Sequence, residues 1–164
     1  VTPIEIQNEI IPKVNAYAGF PVIEGDQPIG SIPDGRHAVF TFLTPHGQDT
    51  GGANYSNRST ADSYEETRSD DVRVVMSFTA IDSTTHGSIS AAQAIREWFE
   101  FYGDEDLYMA GIALVTIGDI GNRNSINEDE RRNGFDITLR VGREMTRTAD
   151  YIETIQQPIG EIDN

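Results

Sequence analysis

The residues able to carry chemistry are scattered along this chain. His37, His46 and His86 stand apart, and no pair sits at the i, i+4 spacing that lets one helix face hold zinc, so they read as loop or surface side chains. Asp104-Glu105-Asp106 and Asp70-Asp71 offer oxygens to a hard cation, but neither has the alternating ligands and central glycine of a calcium loop; solvated charge is the plainer reading. Gly118-Asp119-Ile120-Gly121-Asn122 is glycine-rich yet lacks the following Lys-Ser or Lys-Thr of a phosphate cradle. No serine lies in a Gly-x-Ser-x-Gly elbow. Asn54-Tyr55-Ser56 and Asn57-Arg58-Ser59 match the glycosylation pattern, but with no secretory signal visible they read as chance matches in an Asn/Ser-rich stretch. Trp98 and its aromatic neighbours could stack a base, although their helical spacing fits a core stripe better. No catalytic, cofactor-binding or metal residue is expected, and the chain does not read as an enzyme.

Charge narrows the classes further. With 27 acidic and 12 basic residues the formal charge is -15, and Lys13 is the sole lysine. Such a surface repels phosphate backbones, which argues against sequence-specific or high-affinity nucleic-acid binding. There is no cysteine, so disulfides and thiolate chemistry are absent. At 37% hydrophobic and 24% charged over 164 residues, the composition is that of one folded domain. No apolar run approaches the roughly 20 residues of a spanning helix, so no membrane partner is expected, and an intracellular origin is the default.

The elements that must position these residues centre on 72–117, which reads as strand, helix, strand. Val72, Val74, Met76, Phe78 and Ala80 alternate with more polar neighbours. After the breakers 82–87, a helix over about 88–102 is expected, capped by Ser90 or Ser88 and stopped by a left-handed Gly103. Ile95, Trp98, Phe99 and Tyr102 form its buried stripe, and the apolar run 111–117, with Ile112 and Leu114, suits the middle of a sheet. Phe135, Ile137 and Leu139 predict a strand paired with 111–117 across a long loop.

Upstream, Thr2 caps a first helix with Pro3 in its first position and Ile4, Ile10, Ile11, Val14 and Tyr17 on its apolar side. Pro12 demands a kink or break there, and Gly19 an end. A short strand at 21–23 and a strand at 37–43 follow. The polar stretches 44–71 and 118–134 read as long loops, the first being either a disordered hairpin tip or an arm that orders on a neighbouring subunit. Tyr151, Ile152 and Ile155 suggest a last strand, and 156–164 a flexible tail. The fold class is therefore α/β in the α+β sense: one domain over 1–164, with a mainly antiparallel sheet packed by an N-terminal helix and a central amphipathic helix.

The order of these features resembles the neck terminator or tail terminator proteins of tailed bacteriophages. The residues that carry the likeness are Thr2-Pro3-Ile4-Glu5-Ile6 heading the first helix, Gly19-Phe20-Pro21-Val22-Ile23, and Asp26-Gln27-Pro28. Further along they are Ser77-Phe78, the Ala91, Ala94, Ile95 helix, 107–113, and Asp129-Glu130-Arg131-Arg132 before Phe135-Asp136-Ile137. The resemblance implies a structural virion protein without catalysis: a sixfold ring that caps the tail tube, meets tube and sheath proteins, and joins the neck or connector proteins while genomic DNA passes through its lumen. It would assemble in the host cytoplasm. Arg58, Arg68, Arg123, Arg131, Arg132, Arg143 and Arg147 are candidate interface cations, because guanidinium groups pair well with carboxylates. The alternative is an acidic, non-enzymatic adaptor or binding module of another assembly.

Overall fold

The computed structural model describes residues 2–25, 32–48, 51–59, 63–124 and 129–150, with residues 149 and 150 by backbone only. Asp26-Gln27-Pro28, the strand expected at 151–155 and the tail 156–164 lie outside the described residues. The chain falls into two compact units, one formed by Val1–Gly51 with Asp71–Arg143, the other by Gly52–Asp70 with Glu144–Asn164.

Helix α1 (Pro3–Glu9) opens on a capping box. The Thr2 hydroxyl accepts from the Glu5 N–H at 3.3 Å, and the Glu5 carboxylate accepts from the Thr2 N–H at 2.5 Å. The helix breaks at Ile10 and restarts as α2 (Ile11–Ala18), which places Pro12 in a first turn, where its missing N–H leaves no bond unmade. Gly19 closes α2 at φ 75°. Ile6, Ile10, Ile11 and Val14 are buried. Ile4, expected on the same stripe, is exposed because it lies about 200° around the helix from buried Ile6. Tyr17, at the stripe's edge, is exposed as well.

Among the described residues the sheet has seven strands. Strand β1 (Val22–Glu24) lies parallel to β2 (His37–Gln48), and β2 antiparallel to β4 (Ser63–Asp82). Next comes β7 (Arg131–Asp150), then β5 (Ile112–Ile117) antiparallel to it. Two short strands complete the set: β3 (Asn54–Ser59) pairs with β4, and β6 (Gly121–Asn122) with β7. The architecture is the expected α+β one. Within it, 44–71 is mostly strand and not loop, because backbone pairing of Asn54 with Ser69 through Ser59 with Tyr64 needs no apolar side chains. The 118–134 loop likewise gives up β6 and the start of β7 to strand.

Helix α3 (Thr85–Glu97) starts three residues before the expected range. Its cap is Thr84, whose hydroxyl accepts from the Gly87 N–H at 3.0 Å, and neither Ser88 nor Ser90. Ser88 is instead buried inside the helix, donating to the Thr85 carbonyl at 3.0 Å and accepting from Asn133 of β7 at 2.7 Å. The helix widens into a π-helical turn at Trp98–Tyr102 before α4 (Asp104–Met109). That turn buries Trp98 and Phe99 but leaves Tyr102, expected in the core, 58% exposed: the extra residue in the turn rotates it off the α-helical stripe. Gly103 ends the turn at φ -93°, so it is needed for space and not handedness; a Cβ there would overlap the Trp98 ring. Leu107 belongs to α4, and β5 is an edge strand with Ala113, Val115 and Thr116 exposed and Leu114 half-buried, not a central one.

Phe78 occupies the middle of the core. Its ring meets Phe40 of β2, Phe99 of the π-helical turn and Phe135 of β7, with centroids 6.3, 5.3 and 5.7 Å away. Met76, Ile95, Ile112, Ile137 and Leu139 are buried in the same core. Gly134 sits so close to the Phe78 carbonyl that no Cβ fits between them. His37 is also buried, with Nδ1 2.7 Å from the Gly35 carbonyl, and so departs from the surface role expected of it. His46 and His86 are exposed.

A second node joins strand to helix. The Asp82 carboxylate accepts from the Arg36 guanidinium at 2.7 Å, the Thr84 N–H at 3.0 Å and the Thr84 hydroxyl at 3.2 Å. The Arg36 hydrogen bond, followed by that from Thr84, holds the Asp82 pKa down at about 2. A carboxyl depressed by folding stabilises fully above its unfolded value near 3.8, and that contribution is lost as pH falls through about 2. Wild type should therefore exceed Asp82→Asn by about 1–2 kcal/mol at pH 5, with the gap closing between pH 4 and pH 2 in urea titrations. Gly134→Ala should lower unfolding free energy by about 1–3 kcal/mol by the same measurement, since strand β7 must shift to admit the methyl group.

Candidate assembly surfaces

In the first unit, the sheet carries helices on the face that holds Ala38, Phe40, Val74, Met76, Phe78 and Ala80. The opposite face carries the alternate residues, and arginines are prominent on it. Arg123 crosses it, donating to Ser77, to Thr79 at 3.1 Å and to the Asp136 carboxylate at 2.7 Å. Burial works against ionisation of Asp136, but the bonds from Arg123 and Ser77 outweigh it and hold its pKa below the ordinary carboxylate value. Arg132 stands 3.7 Å from Glu130, Arg143 reaches His46 at 3.3 Å, and Arg131 is exposed. Beside them is a cleft of about 410 Å³, lined by Ile23, Ile32, Val39 and Ile81 together with the polar Glu24, His37, Thr79, Glu130 and Arg132.

The helical side of the same unit shows large apolar groups to solvent. Phe101, Tyr102, Tyr108 and Met109 are 74%, 58%, 80% and 77% exposed. The Tyr102 ring contacts Tyr17 at 4.7 Å and Phe101 at 5.2 Å between centroids. Carboxylates neighbour them in the sequence: Glu97, Glu100, Asp104, Glu105 and Asp106, of which Glu100 is paired with Arg96 at 2.9 Å and Asp106 with Lys13 at 2.6 Å. The sequence signal for this display was hidden, because Phe101 falls between the core-facing positions and Tyr102 fits the α-helical stripe.

In the second unit, β3 and the start of β4 form a hairpin arm of exposed or half-buried residues. Arg68 lies over the Tyr55 ring at 6.0 Å and binds Asp70 at 2.9 Å, while Arg147 pairs with Glu66 and Thr146 with Thr67. Arg58 is exposed opposite Glu65. Of the seven candidate arginines, Arg68, Arg123, Arg132, Arg143 and Arg147 therefore have partners within their own chain. Among the described residues, no group of three or more His, Asp and Glu side chains is placed to hold a metal ion, and no helix is long and apolar enough to cross a membrane.

A family profile described as phage neck terminator protein matches residues 5–164. The chain belongs to that family. It is accordingly a structural protein of the phage virion, located in the neck, where it associates with other head and tail proteins. No curated protein matches this neck terminator. Among solved structures, a chain from the virion of a native gene transfer agent particle is 16% identical, covering 79% of this chain and 84% of its own, with a TM-score of 0.38. A second chain is 12% identical over 84% of this one and 91% of its own, with a TM-score of 0.41. At TM-scores below 0.5, the family assignment rests on the profile.

The two kinds of arginine are separable by experiment. Arg123→Ala should lower stability by about 1–3 kcal/mol, because it leaves Asp136 and two hydroxyl groups without their shared donor. Arg58→Ala, at an exposed strand position, should stay within about 0.5 kcal/mol of wild type in the same denaturant titration.

Proposed function

We propose that this neck terminator acts as a ring, six copies in number, that caps the tail tube and joins it to the head connector. Its partners in this reading are itself, the tube protein with any sheath, and the connector, and DNA passes through the lumen unbound. The observation that carries it is membership of the neck terminator family over nearly the whole chain. The physical features agree with the role. A rigid core supplies a body, the hairpin of the second unit supplies an arm for a neighbour, and an acidic surplus suits a channel through which DNA must slide. Assembly takes place in the host cytoplasm before the neck is completed.

Six copies at -15 each would carry about -90, so ring formation should strengthen as salt screens the subunits from one another. Light scattering across a salt series should show a discrete six-copy species, and electron micrographs of the protein mixed with tail tubes should show caps on tube ends. A protein that stays monomeric and never decorates a tube would overturn the reading. Replacing 52–70 with a short turn keeps Gln48 opposite Val72, so the first unit should fold with nearly unchanged melting temperature. Ring formation by this variant should be lost. Retained assembly would remove the arm's role.

A further inference from the structure

One pair of residues in the core of the first unit is chemically labile by its sequence. Of the asparagines in this chain, only Asn133 is followed by glycine. An asparagine side-chain amide is open to attack by the backbone nitrogen of the next residue. Glycine, having no side chain, shields that nitrogen least and turns most freely into the attacking conformation. The fold is bound to both residues all the same. A Cβ at position 134 would overlap the Phe78 carbonyl, so glycine is required there, and the Asn133 amide makes a buried hydrogen bond between strand and helix.

The same packing withholds the reaction. Asn133 and Gly134 lie in β7, opposite Asn122 and Gly121 of β6. In an extended strand the side chain stands off the sheet while the next backbone nitrogen lies along it, so the two reacting atoms are not aligned. One residue earlier, the Arg132 carbonyl accepts from the Arg123 N–H at 2.9 Å, which pins the strand on that side. Asn133 Nδ2 donates to Ser88 Oγ at 2.7 Å, and Ser88 commits its own hydrogen to the Thr85 carbonyl at 3.0 Å. Asn133 is 5% exposed and Ser88 is buried beneath it, so water has little access to the amide.

We propose that Asn133-Gly134 is a deamidation site that the native fold holds shut, so that prolonged unfolding brings an irreversible covalent change. In the unfolded chain the Gly134 nitrogen gives up its proton and bonds to Asn133 Cγ, the Cγ–Nδ2 bond breaks, and ammonia leaves with that proton. Water then opens the five-membered imide at one of its two carbonyl carbons, leaving either aspartate or its β-linked isomer. Neither product suits the native site. Aspartate brings a charge into a buried position and offers no donor to the Ser88 oxygen. The β-linked isomer adds a methylene to the main chain of β7 beside Gly134, where the Phe78 carbonyl leaves no clearance. A chain that stays unfolded is thereby marked and weakened for good, whereas a folded one is protected whether or not it has assembled.

The test incubates the full wild-type chain at mildly alkaline pH, in native buffer and in concentrated urea, and follows conversion at each asparagine by peptide mass spectrometry. In urea, Asn133 should convert faster than any other asparagine. In native buffer its conversion should be slower by at least about 100-fold, because reaction then waits on rare opening of the strand. Ion exchange separates converted chains by their added negative charge. After dilution from urea, chains converted at Asn133 alone should unfold more readily than unconverted chains from the same incubation, with an unfolding constant raised by about 30-fold or more. Conversion at similar rates in the two buffers would overturn the inference. So would an Asn133 that reacts no faster in urea than Asn57, or converted chains that unfold at the same urea concentration as unconverted ones.

Discussion

The structure depends most on the crowding around Phe78. Three aromatic rings from three different elements converge on its side chain, and the backbone of Gly134 presses against its carbonyl group. One residue thereby fixes the spacing of two strands and the seating of a helix. Interiors packed this closely have no slack to take up a displaced ring, so β2, β4, β7 and the helical layer must be placed together or not at all. Asp82, at the end of the same strand, extends the constraint by hydrogen bonding: it ties the segment before β2 to the cap of α3, and the site leaves no room for a Cβ at Gly87.

The sequence was legible wherever burial enforced a period. Val72 to Ala80 and Phe135 to Val141 are strands with one apolar face, and nothing else could bury that pattern economically. The cap at Thr2 and an interruption of the helix near Pro12 were equally plain, because each follows from local chemistry, although the break itself falls at Ile10. The polar hairpin at 54–69 was not legible. Its pairing is carried by backbone hydrogen bonds, and Asn, Ser and Thr side chains leave no periodic trace of it. The helix start was misplaced for a related reason: Thr84, Ser88 and Ser90 are chemically alike, and only the position of Asp82 selects among them.

The candidate surfaces were harder still. Arginine was recognised as an interface residue by type, yet the fold uses Arg123 to bind its own Ser77, Thr79 and Asp136. A residue type shows what a side chain is able to do, and only the fold shows what is within its reach. Tyr102 illustrates the converse. An α-helical count places it inside, and one residue of additional winding places it outside, where it joins Tyr17 on a neighbouring helix.

The pairing of Lys13 with Asp106 has a chemical consequence of its own. Lys13 is the only lysine in the chain, so amine-directed reagents and lysine acylation find a single side-chain target, and the eleven arginines are beyond the reach of either. That target lies one helical turn from Tyr17, at the border of the exposed aromatic cluster. A fluorophore or cross-linker attached through a side-chain amine would report from that border alone, giving this protein a built-in, single-site handle on the surface where its helices meet solvent.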